Sequence, residues 1–356
     1  MKMRGTAICL GMVVSLLGGA AFAQGKPAQS SGPNDLLGIL TQKPAQQLPK
    51  TNQFPPIPAP PLHLAQASSE KGAFLFYSFV PRSPIYWNNF SPKSVIRQAK
   101  WLGLKYLEIR LGYSNWLQIA PGAQQSWFNQ ILDLARSHGI RIIGWVVPFT
   151  NNSSSSTIEN SLNGDWQVVS DLVHYRTPTG AHLSGIAMDL ELGSLYFGGN
   201  TTALTQYVQG VRSLVGPGYP LISIVPDPAR TGLTASGSGT TYYPYNKVAM
   251  VSNVLQPMAY WHEYYASDEF IYSTSYVQNF IENAIRSTRQ QAQNNVIPIN
   301  LALQTFGNRI VGYPSVNEVS TALTVANNYG AVGISAFQWN TLASYSMILA
   351  QYHWRR

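Results

Sequence analysis

The sequence predicts an α/β fold, a (β/α)8 TIM barrel preceded by a signal peptide and a Pro/Gln-rich spacer. Three observations predict it. Eight short apolar runs recur between residues 73 and 339. Each is followed by a longer amphipathic or crossover segment, and together they occupy about 280 residues, the length such a barrel needs. No glycine-rich phosphate loop follows the first run, which weighs against a doubly wound sheet, the runner-up.

Residues 1–23 read as a secretory signal peptide. Lys2 and Arg4 open the segment, an apolar middle follows, and Ala-Phe-Ala ends it, so cleavage is expected after Ala23. The apolar run is short for a spanning helix, and no membrane span is expected beyond it. Cys9, the only cysteine, lies inside this segment. The remaining chain therefore has no disulfide and no cysteine metal site, and must rest on a large core. A secreted, periplasmic or cell-envelope location follows.

Residues 24–70 are rich in Pro, Gln, Ala and Ser and show no helical or strand period. They read as an extended spacer that holds the folded part off a surface. The alternative is an arm packed along the domain through Phe54, Leu62 and Leu64.

Residues 71–356 form the barrel. The strand candidates are residues 73–79, 105–111, 140–147, 183–190, 220–225, 253–260, 296–303 and 331–339. Helical patterns lie between them. Residues 91–103 place Pro92 in a first turn and Gly103 as a stop, residues 125–139 end on His138 and Gly139, and residues 315–330 give a third pattern. Long loops are expected at residues 150–157 and 234–245, on the strand C-terminal face where barrels place active sites.

The net charge is +8, from 23 Lys and Arg against 15 Asp and Glu. For an exported chain this points to anionic envelope polymers, or to a basic surface that only maintains solubility. There is no Lys/Arg run or nucleic-acid module, so no nucleic-acid partner is expected.

With acids so scarce, the run SGIAMDLEL (184–192) stands out, because Asp189 and Glu191 end a buried strand pattern. Strand side chains alternate, so Gly185, Ala187, Asp189 and Glu191 share one face, and Ile186, Met188, Leu190 and Leu192 the other. The apolar row suits packing under helices, which turns the acids into the barrel at the strand's C-terminal end. A salt bridge to Arg110 is the structural alternative. Two close carboxyls do not both ionise readily, so one is pushed towards its protonated form. Glu191 would then serve as general acid, with Asp189 orienting it or the substrate.

SGIAMDLEL resembles the fourth-strand motif of family 18 glycoside hydrolases, the chitinase-like barrels, written D-G-x-D-x-D-x-E. Gly185, Asp189 and Glu191 match, while Ser184 and Ala187 stand where the first two acids would be. QPMAYW (256–261) is similar to the sixth-strand M-x-Y-D, with Met258 and Tyr260 matching and Trp261 in place of the acid. GISAFQW ends on Trp339, which resembles the family's subsite-floor tryptophan. The resemblance implies Glu191 as acid, Asp189 positioning an acetamido group whose oxygen is the nucleophile, Tyr260 helping to hold it, and Trp339 as floor. A D-x-E strand end suits the family 25 lysozyme-like barrels equally well.

Other residues carry two readings each. Glu108 and Arg110 share a face of the second strand, as substrate contacts or as a structural pair. Asp227 approaches the site or belongs to a turn. Gln256, Met258, Tyr260 and His262 share a face of the sixth strand, and Gln304 ends the seventh; the polar ones suit sugar hydroxyls or loop support. Trp87, Trp116, Trp261 and Trp339 near strand ends suit sugar stacking or core filling. The six histidines lack ligand spacing, so neither a metal nor another cofactor is expected. A two-carboxylate mechanism would recruit Glu108, Asp227 or Glu263. The sequence thus predicts a hydrolase of an amino-sugar polysaccharide, chitin-like or peptidoglycan-like, or else a barrel that binds such glycans without cutting them.

Overall fold

The computed structural model describes residues 62–75, 89–148, 155–193, 196–235, 242–262, 272–307 and 312–355. The expected signal peptide, most of the spacer, Phe54, Trp87 and Glu263 lie outside the described residues.

Eight parallel strands close into a barrel. They are β1 (Glu70–Leu75), β2 (Tyr106–Tyr113), β3 (Arg141–Val147), β4 (Gly185–Asp189), β5 (Leu221–Val225), β6 (Val254–Ala259), β7 (Asn300–Gln304) and β8 (Gly333–Phe337). Each pairs with its neighbour in sequence, and β1 pairs with both β2 and β8, which closes the ring. Closure leaves no strand edge among the eight, so every ladder is satisfied within the barrel.

Helices cover the outside: α1 (Pro92–Trp101), α2 (Ala123–Ser137), α3 (Ser155–His174), α4 (Thr201–Val215), the one-turn α5 (Pro228–Thr231), α6 (Tyr245–Val251), α7 (Thr274–Gln291), α8 (Val316–Asn328) and α9 (Ser346–Gln351). Local chemistry explains the ends. Ser91 caps α1 through its side chain, with Pro92 next to it. Ser315 and Glu318 form a reciprocal capping box on α8. Gly216 ends α4 at φ 73°, a conformation that favours glycine.

Several boundaries differ from the sequence pattern. Residues 62–68, expected within the spacer, form a 3₁₀ helix with Ala65 and Ala67 buried, and β1 opens at Glu70. The start of α3 takes in Ser155, inside the expected serine-rich loop. The seventh strand begins at Asn300, four residues later than expected, because only a single bridge at Ile299 precedes it.

Strand alternation sorts the core. Ile186, Met188 and Leu190 are fully buried on the outer face of β4, as the alternation requires. Inside the barrel the lower layers are polar. Tyr106 donates its hydroxyl proton to Ile334 O at 2.7 Å and accepts from Asn300 Nδ2 (2.6 Å), with Ser335 Oγ 2.9 Å away. Gln256 Nε2 donates to Glu108 Oε1 (2.9 Å) and to Asn300 Oδ1 (2.8 Å), and Ser335 Oγ donates to the same Glu108 oxygen at 2.5 Å. Above this network lies an aromatic layer. Phe74, Trp145 and Phe337 meet edge to face, with ring centroids 5.2–6.0 Å apart. Tyr260 and Phe306 extend it across β6 and the end of β7.

Candidate active site

Asp189 is the last residue of β4 and Glu191 lies two residues beyond it, so both sit at the strand C-terminal rim. Both side chains are buried. Trp145, inward on the adjacent β3, donates its indole N–H to Asp189 Oδ2 at 3.2 Å. Asp189 Oδ1 is buried with no hydrogen-bond partner among the described residues. Burial pushes the Asp189 carboxyl up to about 7, against the opposing pull of the Trp145 hydrogen bond and the Arg110 guanidinium. Burial rather than a like charge is thus the main cause of its poise.

Arg110 shares the inner face of β2 with Tyr106 and Glu108, and a β-bulge follows it. The β2–β3 register slips between Arg110 and Gly112. A Cβ on Gly112 would collide with Val146 and Val168, so that position faces α3. The bulge returns Tyr113 to the side of Arg110, whose guanidinium carbon lies 5.7 Å from the Tyr113 ring centre. Arg110 Nε donates to Gln118 Oε1 at 3.1 Å, which steadies the side chain on the short antiparallel extension Trp116–Leu117.

Two tyrosines from loops complete the surround. The Tyr196 hydroxyl is held well above its ordinary range by burial first, then by Glu191, Asp189 and Tyr113, against the pull of Arg110. Tyr243, fully buried, donates to Leu190 O at 2.7 Å; burial, Tyr245, Asp189 and Glu191 together raise it. Both phenols stay neutral at ordinary pH, and Tyr243 donates to the Leu190 carbonyl. A raised carboxyl, a cation and neutral hydroxyls around one rim can protonate a leaving oxygen and hold a polar substrate over an aromatic base.

The other expected residues divide. Glu108 lies inside the barrel, one layer below Arg110. Burial lifts its carboxyl to about 7 against its Ser335 and Gln256 hydrogen bonds, with Asp189 adding to the lift. Its Oε2 has no partner among the described residues. Gln256 is committed to that network. Met258 and Tyr260 are buried on the inner face of β6, Tyr260 within the aromatic layer. Gln304 engages both ends in loop support, accepting from His262 N at 2.8 Å and donating to Phe306 O at 3.1 Å. Asp227 caps α5, its Oδ1 accepting from Ala229 N at 2.9 Å. Trp339 is buried at the first residue of the 3₁₀ helix Trp339–Tyr345, and Phe337 is the eighth-strand ring found in the aromatic layer.

Trp261, where the resembled motif has an acid, donates to Glu318 Oε2 at 2.7 Å. His262 Nε2 meets the same oxygen at 2.6 Å and its ring stacks on Tyr272 at 3.7 Å. Trp261 thus anchors the β6 loop to α8. Trp116 stands exposed at the rim.

Trp145, Tyr196, Tyr243 and Phe337 escaped the sequence reading. Trp145 and Phe337 had a signal, since strand parity puts both on inner faces near the strand ends. The two tyrosines come from irregular segments, where no period indicates direction. Among the described residues, no group of three His, Cys, Asp or Glu side chains could hold a metal ion.

No protein-family model and no curated protein matches this sequence. Solved structures match in fold. The glycoside hydrolase domain of PgaB (BpsB) from Bordetella bronchiseptica superposes with a TM-score of 0.55 at 10% identity, over 80% of this chain and 98% of that one. A chitinase from Chromobacterium violaceum gives 0.51 at 12%, over 80% and 100%. A xylanase-α-amylase inhibitor protein, XAIP-I, in complex with trehalose, gives 0.52 at 14%, over 80% and 99%. The chain shares the barrel architecture of glycoside hydrolases. At such identities the likeness is one of fold.

Proposed function

We propose that this chain is an exported glycoside hydrolase that cleaves an amino-sugar polysaccharide, chitin-like or peptidoglycan-like. One observation carries the reading: Asp189 and Glu191 lie buried together at the C-terminal rim of β4, with Asp189 Oδ1 left unpartnered among the described residues. Barrels of this kind run their chemistry at that rim. Glu191 protonates the leaving oxygen as general acid. Asp189 accepts the acetamido N–H through its open oxygen and, poised near 7, takes up or shares a proton as charge develops. The acetamido oxygen attacks the anomeric carbon, as the motif resemblance implies. Arg110 offsets the negative charge beside it, the neutral Tyr196 hydroxyl lines the same surround, and Tyr260 with the aromatic layer supports the sugar. The barrel fold shared with glycoside hydrolases agrees with the reaction class.

A second reading, a carbohydrate-binding barrel without turnover, is favoured by Ser184, Ala187 and Trp261 at motif acid positions. A test separates them. Reducing-end release is measured from chitin oligomers, peptidoglycan and neutral glycans, for the wild type and Glu191→Gln. Release lost at retained glycan affinity supports hydrolysis with Glu191 as acid. Binding by both proteins without cutting supports the second reading, and equal cutting by both removes Glu191 from the mechanism.

A further inference from the structure

The end of the barrel opposite the carboxylates has an unusual surface. Lys71, on β1, is buried and turns its ammonium towards three carbonyls: Leu349 O at 2.5 Å, Tyr352 O at 2.7 Å and Leu102 O at 3.4 Å. One ammonium therefore holds the C-terminal end of α1 against the C-terminal tail of the chain. This junction brings together Lys100, Trp101 and Lys105 with His353, Trp354 and Arg355. Lys100, Lys105, His353 and Arg355 are exposed, and Trp101 keeps 55% of its surface in water. Trp354 is half-buried against Tyr352, with ring centroids 6.0 Å apart.

Acids are sparse around it. No Asp or Glu occurs between Glu70 and Glu108 or after Glu318, and Glu108 lies inside the barrel. Glu70 is the nearby exception, and it interacts with Lys71 and Arg141. Cations at helix C-termini are ordinary, because they offset the helix dipole. Two indoles among them are not explained that way.

The described fold also begins at this end. The 3₁₀ helix Leu62–Ser68 crosses this same end: Arg141, the first residue of β3, donates to Gln66 O, and Asn300, the first residue of β7, donates to Ser68 O at 2.7 Å.

We infer that this basic, indole-bearing end of the barrel docks on the surface of an anionic phospholipid bilayer, leaving the Asp189–Glu191 rim facing away from it. Lysine and arginine are drawn to anionic headgroups, and an indole with one polar edge suits the headgroup level, where a soluble polyanion would require cations alone. The inference concerns a different face from the carboxylate rim and stands whether or not the barrel hydrolyses glycans.

The test is co-sedimentation of the full chain with phosphatidylcholine vesicles and with vesicles containing about 30% phosphatidylglycerol, a composition chosen for a surface potential of the size anionic leaflets carry. Neutral vesicles report binding that does not depend on headgroup charge, and the difference reports this face. Anionic vesicles should be preferred, less so at high salt. Replacing Lys100, Lys105 and Arg355 together with Ala should weaken that preference by roughly a hundredfold, about fivefold per cation. Trp101→Phe should remove a fluorescence component that brominated lipid quenches in the wild type. The three cations are exposed, so thermal melting of the variants should match the wild type. Equal partitioning onto both vesicle types, or an undiminished preference in the triple variant, overturns the inference. So does a wild type that ignores anionic vesicles but binds poly(glycerol phosphate) in solution.

Discussion

The indole N–H of Trp145 donates to Asp189 Oδ2 at 3.2 Å, across two adjacent strands of the barrel. That bond opposes the burial which raises the Asp189 carboxyl to about 7. Trp145→Phe keeps an aromatic ring against Phe74 and Phe337 but removes the donor. The expected result is a further rise, roughly 0.5–1 unit, in the Asp189 ionisation seen by NMR titration. An unmoved titration would mean that the indole does not tune the acid.

Asp189 also sets a pH dependence of stability. Its folded-state pKa lies above its unfolded value, so between about 4 and 7 the folded chain binds more protons than the unfolded chain, and stability falls as pH rises. Asp189→Asn removes that penalty. At pH 8 the variant should be more stable by roughly 1–2 kcal/mol, and near pH 4 the two proteins should melt together. Melting curves at both pH values check this, and a variant less stable at pH 8 would contradict it. Glycan cleavage by the same variant should fall sharply.

Glu108 gives a contrast between two substitutions. Its Oε1 accepts from both Gln256 and Ser335 inside the barrel. Glu108→Ala leaves two buried donors without an acceptor and opens a cavity, and should cost about 3–5 kcal/mol. Glu108→Gln keeps an oxygen at that point and ends the burial penalty of a charge, so its stability at pH 8 should equal or exceed the wild type. Denaturant titration of both variants decides, and equal losses would show that the network is not what holds this layer.

Glu318 behaves in the opposite sense. It accepts from Trp261, His262 and the backbone and side chain of Ser315, and these hydrogen bonds outweigh burial to hold its carboxyl below the ordinary value. Stability from such a group is present above the unfolded pKa and lost as pH falls through the folded one. Glu318→Gln should therefore lower stability at pH 7 by roughly 1–3 kcal/mol, with the difference shrinking below pH 4. The β6 loop should become more open to hydrogen exchange at Trp261 and His262. An unchanged melt at pH 7 would argue against this anchor.

Much of the scaffold is legible in the sequence alone. Eight apolar runs, the proline and glycine punctuation of α1, and the Ser315–Glu318 spacing each report local physics, because a strand or helix end depends on residues within a few positions. Strand parity turned Asp189 into the barrel and Ile186, Met188 and Leu190 out of it. Parity failed where the chain left regular structure. It could not reveal that Gln304 would support the β6 loop, that Asp227 would cap a one-turn helix, or that Tyr196 and Tyr243 would approach the two acids.

The sequence by itself determined the barrel, the inward acid at the end of the fourth strand and the scarcity of charge around it. Only the tertiary structure decided what those acids meet. Trp145 and Asp189 are 44 residues apart, and Gln256 and Glu108 are 148 apart. Closing β1 against both β2 and β8 sets which inner side chains share a layer, and the bulge after Arg110 brings Tyr113 to that cation's side. A residue's face is a property of its own strand. Its partner, and with it the ionisation of Asp189, depends on how eight strands stagger when they close.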